Sequence, residues 1–103
     1  MNEYKIEIDQ LAYFSILECV AFVERISNDA SKSLYNEIIE SIKSLSHFPN
    51  KYPEVEKITI LGQNIRKMPI HNGRYLIIFK VNSDTVRILD CLDLRKDFKW
   101  NLI

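Results

Sequence analysis

The chain opens on an alternation of apolar and polar positions. Tyr4-Lys5-Ile6-Glu7-Ile8 puts Tyr4, Ile6 and Ile8 on one side of a short strand. Asp9 follows as a natural N-cap. Over residues 11–26 the spacing lengthens to that of a helix. Tyr13, Ile16, Leu17, Val20 and Val23 form the apolar stripe, with Glu18, Glu24 and Arg25 left for the wet side. Ser27-Asn28-Asp29 ends this helix and caps a second over residues 30–46, striped by Leu34, Ile38, Ile42 and Leu45 and widened by Tyr35 and Ile39. So short a joint predicts an antiparallel helical hairpin. Phe48-Pro49 stops the second helix, because the residue before proline avoids the helical region.

The pattern then becomes extended. Asn50, Pro53 and Gly62 mark turns, with residues 58–61 as a short edge strand. Residues 65–70 form the next strand, and Pro69 belongs at an edge or near the strand's end because it cannot donate to a ladder. His71-Asn72-Gly73 is a turn. Residues 74–81 are the clearest strand, with Tyr75, Ile77, Phe79 and Val81 on one side and Leu76, Ile78 and Lys80 on the other. Asn82-Ser83-Asp84 makes a tight hairpin into residues 85–92. There Val86, Ile88, Asp90 and Leu92 share one side, and Arg87, Leu89 and Cys91 the other. The segment from Asp93 to Asp97 leaves the sheet. A tail holding Phe98, Trp100, Leu102 and Ile103 either folds back onto the sheet or offers an apolar patch to a partner. The order is β-α-α-β-β-β. With helices early and strands late, the expected fold is α+β, a helical hairpin packed on an antiparallel sheet, in one domain spanning residues 1–103.

Composition narrows the class. Of 103 residues 47% are hydrophobic and only 2 are Gly and 3 Pro, which suits a packed core with short loops rather than disorder. The start is charged at once, with no signal-like apolar run, and no segment is apolar for long enough to span a bilayer. A cytoplasmic protein is expected, with Cys19 and Cys91 as reduced core thiols. No cofactor is suggested, since a phosphate loop, a dinucleotide fingerprint and Cys/His metal spacing are all missing from the sequence. The formal net charge is +0, but it is unevenly distributed. Residues 1–50 hold 4 Lys/Arg and 8 Asp/Glu, net −4; residues 51–103 hold 10 and 6, net +4. That polarity hints at an anionic partner for the later half.

The ordered motifs resemble a known family. Residues 30–53, A-S-K-S-L-Y-N-E-I-I-E-S-I-K-S-L-S-H-F-P-N-K-Y-P, resemble the second helix of RelE/ParE toxins, which ends in Ser-Leu, a short polar link and Phe-Pro. Ile65-Arg66, then Gly73-Arg74-Tyr75-Leu76-Ile77-Ile78-Phe79-Lys80-Val81, resemble the family's arginine, turn and strand. Val86 to Leu92 and Arg95-Lys96-Asp97 resemble its last strand and closing basic element. The resemblance covers nearly the whole chain. It implies the toxin of a type II toxin–antitoxin system, neutralised by an antitoxin in a complex that could be a heterotetramer. The target it implies is DNA gyrase for ParE-like members, or messenger RNA in the ribosome for RelE-like ones.

The two branches demand different residues. Cleaving RNA through its own 2′-hydroxyl needs a group to take the proton, one to stabilise the charged phosphorane and one to protonate the leaving oxygen. By resemblance, the candidates here are Arg66, Arg95 and Lys96. Met68 and Leu76 stand where RelE-like enzymes carry further basic residues, and Arg74 is one residue off, which reverses its side of a strand. The late Tyr is missing; Trp100 cannot transfer a proton. Arg66 and Arg95 could equally be ion-pair partners of Asp93 or Asp97, and His47 and His71 read as surface or turn residues. The departures favour the ParE-like branch, which acts by binding; a ribonuclease with an altered active site and an inactive superfamily member are the alternatives.

Overall fold

In the computed structural model, residues 3–55 and 65–96 are described. They form β1 (Lys5–Ile8), α1 (Gln10–Glu24), α2 (Asn28–Ser44), a 3-10 turn (Pro49–Lys51), β2 (Ile65–Ile70), β3 (Tyr75–Asn82) and β4 (Thr85–Asp93). The segment read as a strand over 58–61 and the apolar tail over 98–103 lie outside the described residues.

The last three strands form the expected antiparallel meander, and the sheet order is β1-β4-β3-β2. β1 joins its far edge parallel to β4, Ile6 opposite Val86 and Ile8 opposite Ile88, so the sheet as a whole is mixed. The helical hairpin between β1 and β2 is long enough to return the chain for such a parallel pairing. β2 is the opposite edge. Residues 53–55 shield its start, through Val55 N–H to the Ile65 carbonyl at 2.7 Å and Lys67 N–H to the Pro53 carbonyl at 3.2 Å. Pro69 lies beyond that stretch, where no donor is needed.

The two helices pack on one side of the sheet. Ala12, Ile16 and Cys19 of α1 and Leu34, Ile38, Ile42 and Leu45 of the second helix meet Met68, Ile70, Tyr75, Ile77, Phe79, Val86, Ile88 and Cys91. The α2 stripe is the one its spacing predicts. The α1 stripe is rotated from expectation: Ala12 and Cys19 are buried, whereas Tyr13 and Leu17 are exposed. α1 is apolar around most of its circumference, so spacing alone does not decide which side it buries.

On the sheet's other side Ile65, Leu76, Ile78 and Leu92 are buried with Val55, Leu89 and Leu94 against them. β4 therefore does not keep one alternation. Phe79 pairs with Ile88 but Ile78 with Asp90, leaving Leu89 as an extra residue in a bulge. Past it the sides exchange, so Cys91 joins Val86 and Ile88 while Leu92 crosses to the second cluster.

Ends and turns follow local chemistry. The Ser27 hydroxyl accepts from Ala30 N–H at 3.1 Å and caps α2. Asp9 occupies the N-cap position of α1 but its carboxylate serves elsewhere, accepting from Arg87 Nε at 2.6 Å and so fastening β4 to the helix start. That bond and the Asp9 charge lift the Arg87 pKa further above its ordinary value. The β2–β3 turn uses three successive left-handed residues, His71 (φ 54°), Asn72 (57°) and Gly73 (80°).

Candidate functional site

The three candidate cations occupy two separate places. Arg66 is paired with Phe79 across β2–β3, on the helix-facing side. Its Nη1 donates to the Asn50 carbonyl at 3.2 Å and the Tyr52 carbonyl at 2.5 Å, binding the segment around the 3-10 turn to the sheet. Its Nε is buried with no hydrogen-bond partner among the described residues. Arg66 thus uses Nη1 within the protein.

Arg95 and Lys96 sit at the other end of the strands, just past Asp93, which pairs with Tyr75, itself opposite Ile70. Arg66 is four residues from Ile70 along β2, about 13 Å at the usual strand rise. Asp93 is held as a fork: the Arg95 backbone N–H and Nε donate to Oδ1 at 3.0 and 3.1 Å, and Nη2 donates to Oδ2 at 3.0 Å. The Asp93 side chain is 2% exposed and that of Arg95 41%. Burial pushes the Asp93 carboxyl up, but the side-chain and backbone bonds from Arg95, with the Arg95 and Lys96 charges, outweigh it and hold the carboxyl below its ordinary value. Tyr75, buried next to it, moves the other way. Burial first, and the Asp93 charge second, raise its hydroxyl, so it keeps its proton at neutral pH and has no access to an outside ligand.

Above this pair stands a side chain that the sequence reading passed over. The Phe22 ring of α1 has Lys96 Nζ 4.4 Å from its centre, Arg95 Cζ at 5.7 Å and Arg25 Cζ at 5.8 Å. Such cation–ring contacts are attractive through the ring quadrupole. Phe22 and Arg25 are some seventy residues from Arg95 in sequence, so no local spacing could have pointed to them.

Two positions that the resemblance sets against the ribonuclease branch are buried. Met68 is buried in the main core and Leu76 in the second cluster. His71 is held by Glu37, and His47 Nε2 lies 3.7 Å from Glu3 Oε1, both at the surface. Among the described residues no group of three or more His, Cys, Asp or Glu is arranged to hold a metal, and no helix is long and apolar enough to cross a membrane.

The outer surface of α1 is unusual in another way. Leu11, Tyr13, Phe14 and Leu17 are exposed there. Beside them Leu17, Val20 and Glu24 face Lys32 and Tyr35 of α2 across an open groove of about 480 Å³.

Comparison with known proteins places this architecture. A chain in a solved structure of the chromosomal ParDE TA system from P. aeruginosa superposes with a TM-score of 0.71 over 86% of this chain and 94% of that one, at 14% sequence identity. No protein-family model and no curated protein matches the sequence. The protein therefore has the α+β fold of the RelE/ParE toxins, as its sequence motifs led one to expect.

Proposed function

We propose that this protein is the toxin of a type II toxin–antitoxin pair that inhibits growth by binding, in the manner of ParE, with DNA gyrase as target. It would act in the cytoplasm and be silenced by an antitoxin covering the exposed apolar surface of α1 and its groove with α2. A role in plasmid stabilisation follows from such a pair. The observation that carries the binding mode is the state of Met68 and Leu76. Both are buried apolar side chains where the ribonuclease branch resembles itself in carrying cations, and Arg66 is already committed to two carbonyls. The fold likeness to a ParDE system supports the pairing with an antitoxin.

The second reading, a ribosome-dependent ribonuclease with an altered site, has one observation in its favour. Arg95 and Lys96 are exposed and adjacent, so an anion could reach them. Inducible expression without antitoxin separates the readings. Gyrase binding predicts altered plasmid supercoiling and an SOS response with intact messages. Rapid message fragmentation with normal supercoiling would replace it by the ribonuclease reading. Unhindered growth would remove both.

A further inference from the structure

At the C-terminal end of α1 three cations meet exposed apolar surface. Arg25, Arg95 and Lys96 all lie within 5.8 Å of the Phe22 ring centre. Asp93 is the one carboxylate within ion-pair distance of any of them among the described residues, and it engages Arg95. Three cations set against one described carboxylate leave the group with excess positive charge. Next to Arg25 stands Ile26, 80% exposed, the most exposed large apolar side chain described. Phe22 itself is only partly buried.

The chemistry of this patch selects its ligand. A phosphate backbone would use the cations but leave Ile26 in water. A purely apolar partner would bury the cations without compensation, which is costly. A protein segment with carboxylates on either side of a large apolar side chain satisfies both, seating the apolar group on Ile26 and the edge of Phe22 while the carboxylates meet Arg25 and Lys96. Arginine and aromatic residues are the side chains on which interface energy concentrates. Arg95 is already oriented by its fork to Asp93, so less freedom is lost when it is engaged.

We infer that Phe22, Arg25, Ile26, Arg95 and Lys96 form a docking site for an acidic protein segment with a large apolar side chain among its carboxylates. The site does not depend on which target the toxin reading assigns, and it lies past the α1–α2 groove.

The test uses the full chain and a fluorescein-labelled peptide containing Glu-Glu-Leu-Glu-Glu, read by anisotropy and by amide shifts in ¹⁵N NMR. Shifts should centre on residues 22–27 and 95–96. Replacing the peptide's Leu by Ser should weaken binding by about tenfold, as should Ile26→Ser or Lys96→Glu in the protein. Raising the salt should weaken it as well. Lys43→Glu, the same charge change on the far end of α2, should leave binding unchanged; all three sites are exposed, and unchanged thermal midpoints verify that the variants fold. Equal binding of the Leu and Ser peptides, or equal losses in the Lys43 and Lys96 variants, would overturn the proposal. So would tighter binding of a short oligothymidylate at the same amides, which would assign the patch to nucleic acid instead.

Discussion

Glu37 grips His71 with both carboxylate oxygens: Oε2 accepts the His71 backbone N–H at 3.1 Å, and Oε1 lies 2.8 Å from Nδ1. The contact joins the middle of α2 to the β2–β3 turn of three left-handed residues, which is also closed by Gly73 N–H to the Ile70 carbonyl and Arg74 N–H to the His71 carbonyl, both at 3.1 Å. The His71 ring also leans on Tyr75, with ring centres 5.9 Å apart.

Removing that grip should loosen the turn. Glu37→Ala loses two hydrogen bonds, each worth about 1 kcal/mol net. The expected loss is about 1–2 kcal/mol in urea unfolding, and amide exchange should quicken at Asn72 and Gly73 ahead of the β3 interior. Unchanged exchange at the turn would show that the strands alone fix it.

The rotation of α1 makes a sharp prediction because neighbours in sequence should differ greatly. Ile16→Ala removes a fully buried side chain and should cost about 2–5 kcal/mol. Leu17→Ala trims one that is 38% exposed and should cost about 0.5 kcal/mol or less. Denaturant midpoints of the two variants decide it. If the two losses were similar, α1 would pack on the side that its spacing first suggests.

These same residues show what can be read before the fold is known. α2 was legible because polar residues such as Lys32, Glu37, Glu40 and Lys43 leave a single apolar stripe. α1 was not, because apolar residues surround it, and the surplus that blurs its periodicity is left exposed at Leu11, Tyr13, Phe14 and Leu17. β3 was read correctly through its strict alternation, whereas β4 was read correctly only up to Leu89, since a bulge leaves no mark in a run of apolar residues. At the candidate site Arg95, Lys96 and their acid Asp93 were visible as sequence neighbours. Phe22 and Arg25 were not, because only the packing of α1 beside β4 brings them together.

Asp93 should make the fold sensitive to acid. Its carboxyl is held below the ordinary value in the native state. A group shifted in that direction adds stability above its unfolded value, about 3.9, and gives it up as the pH falls through the lower native one. Asp93→Asn should therefore lower the thermal midpoint at pH 7, and the gap from the parent should close as the pH approaches 2. A gap that stayed constant over this range would mean that the hydrogen-bond geometry, not the charge, is what the aspartate contributes.

Arg66 is the candidate whose position argues most directly for a structural part. Its two bonds are to backbone carbonyls at Asn50 and Tyr52, and no second candidate cation is near it. Arg66→Ala leaves those carbonyls to water and frees the segment they belong to. Bonds from a charged donor are worth about 1.5–3 kcal/mol each when buried, less when water can replace them, so a total loss of about 2 kcal/mol is expected. Limited proteolysis should then cut near residues 50–53 before any other described segment. Both bonds come from the single Nη1, so Arg66→Lys, which carries three donors on a shorter side chain, should recover only part of the loss. A catalytic part would give a different pattern. Growth inhibition would then be lost in Arg66→Ala at temperatures where the variant remains folded, and restoring stability by a second substitution would not bring it back. Measuring inhibition and unfolding together on these two variants is expected to show inhibition tracking the folded fraction.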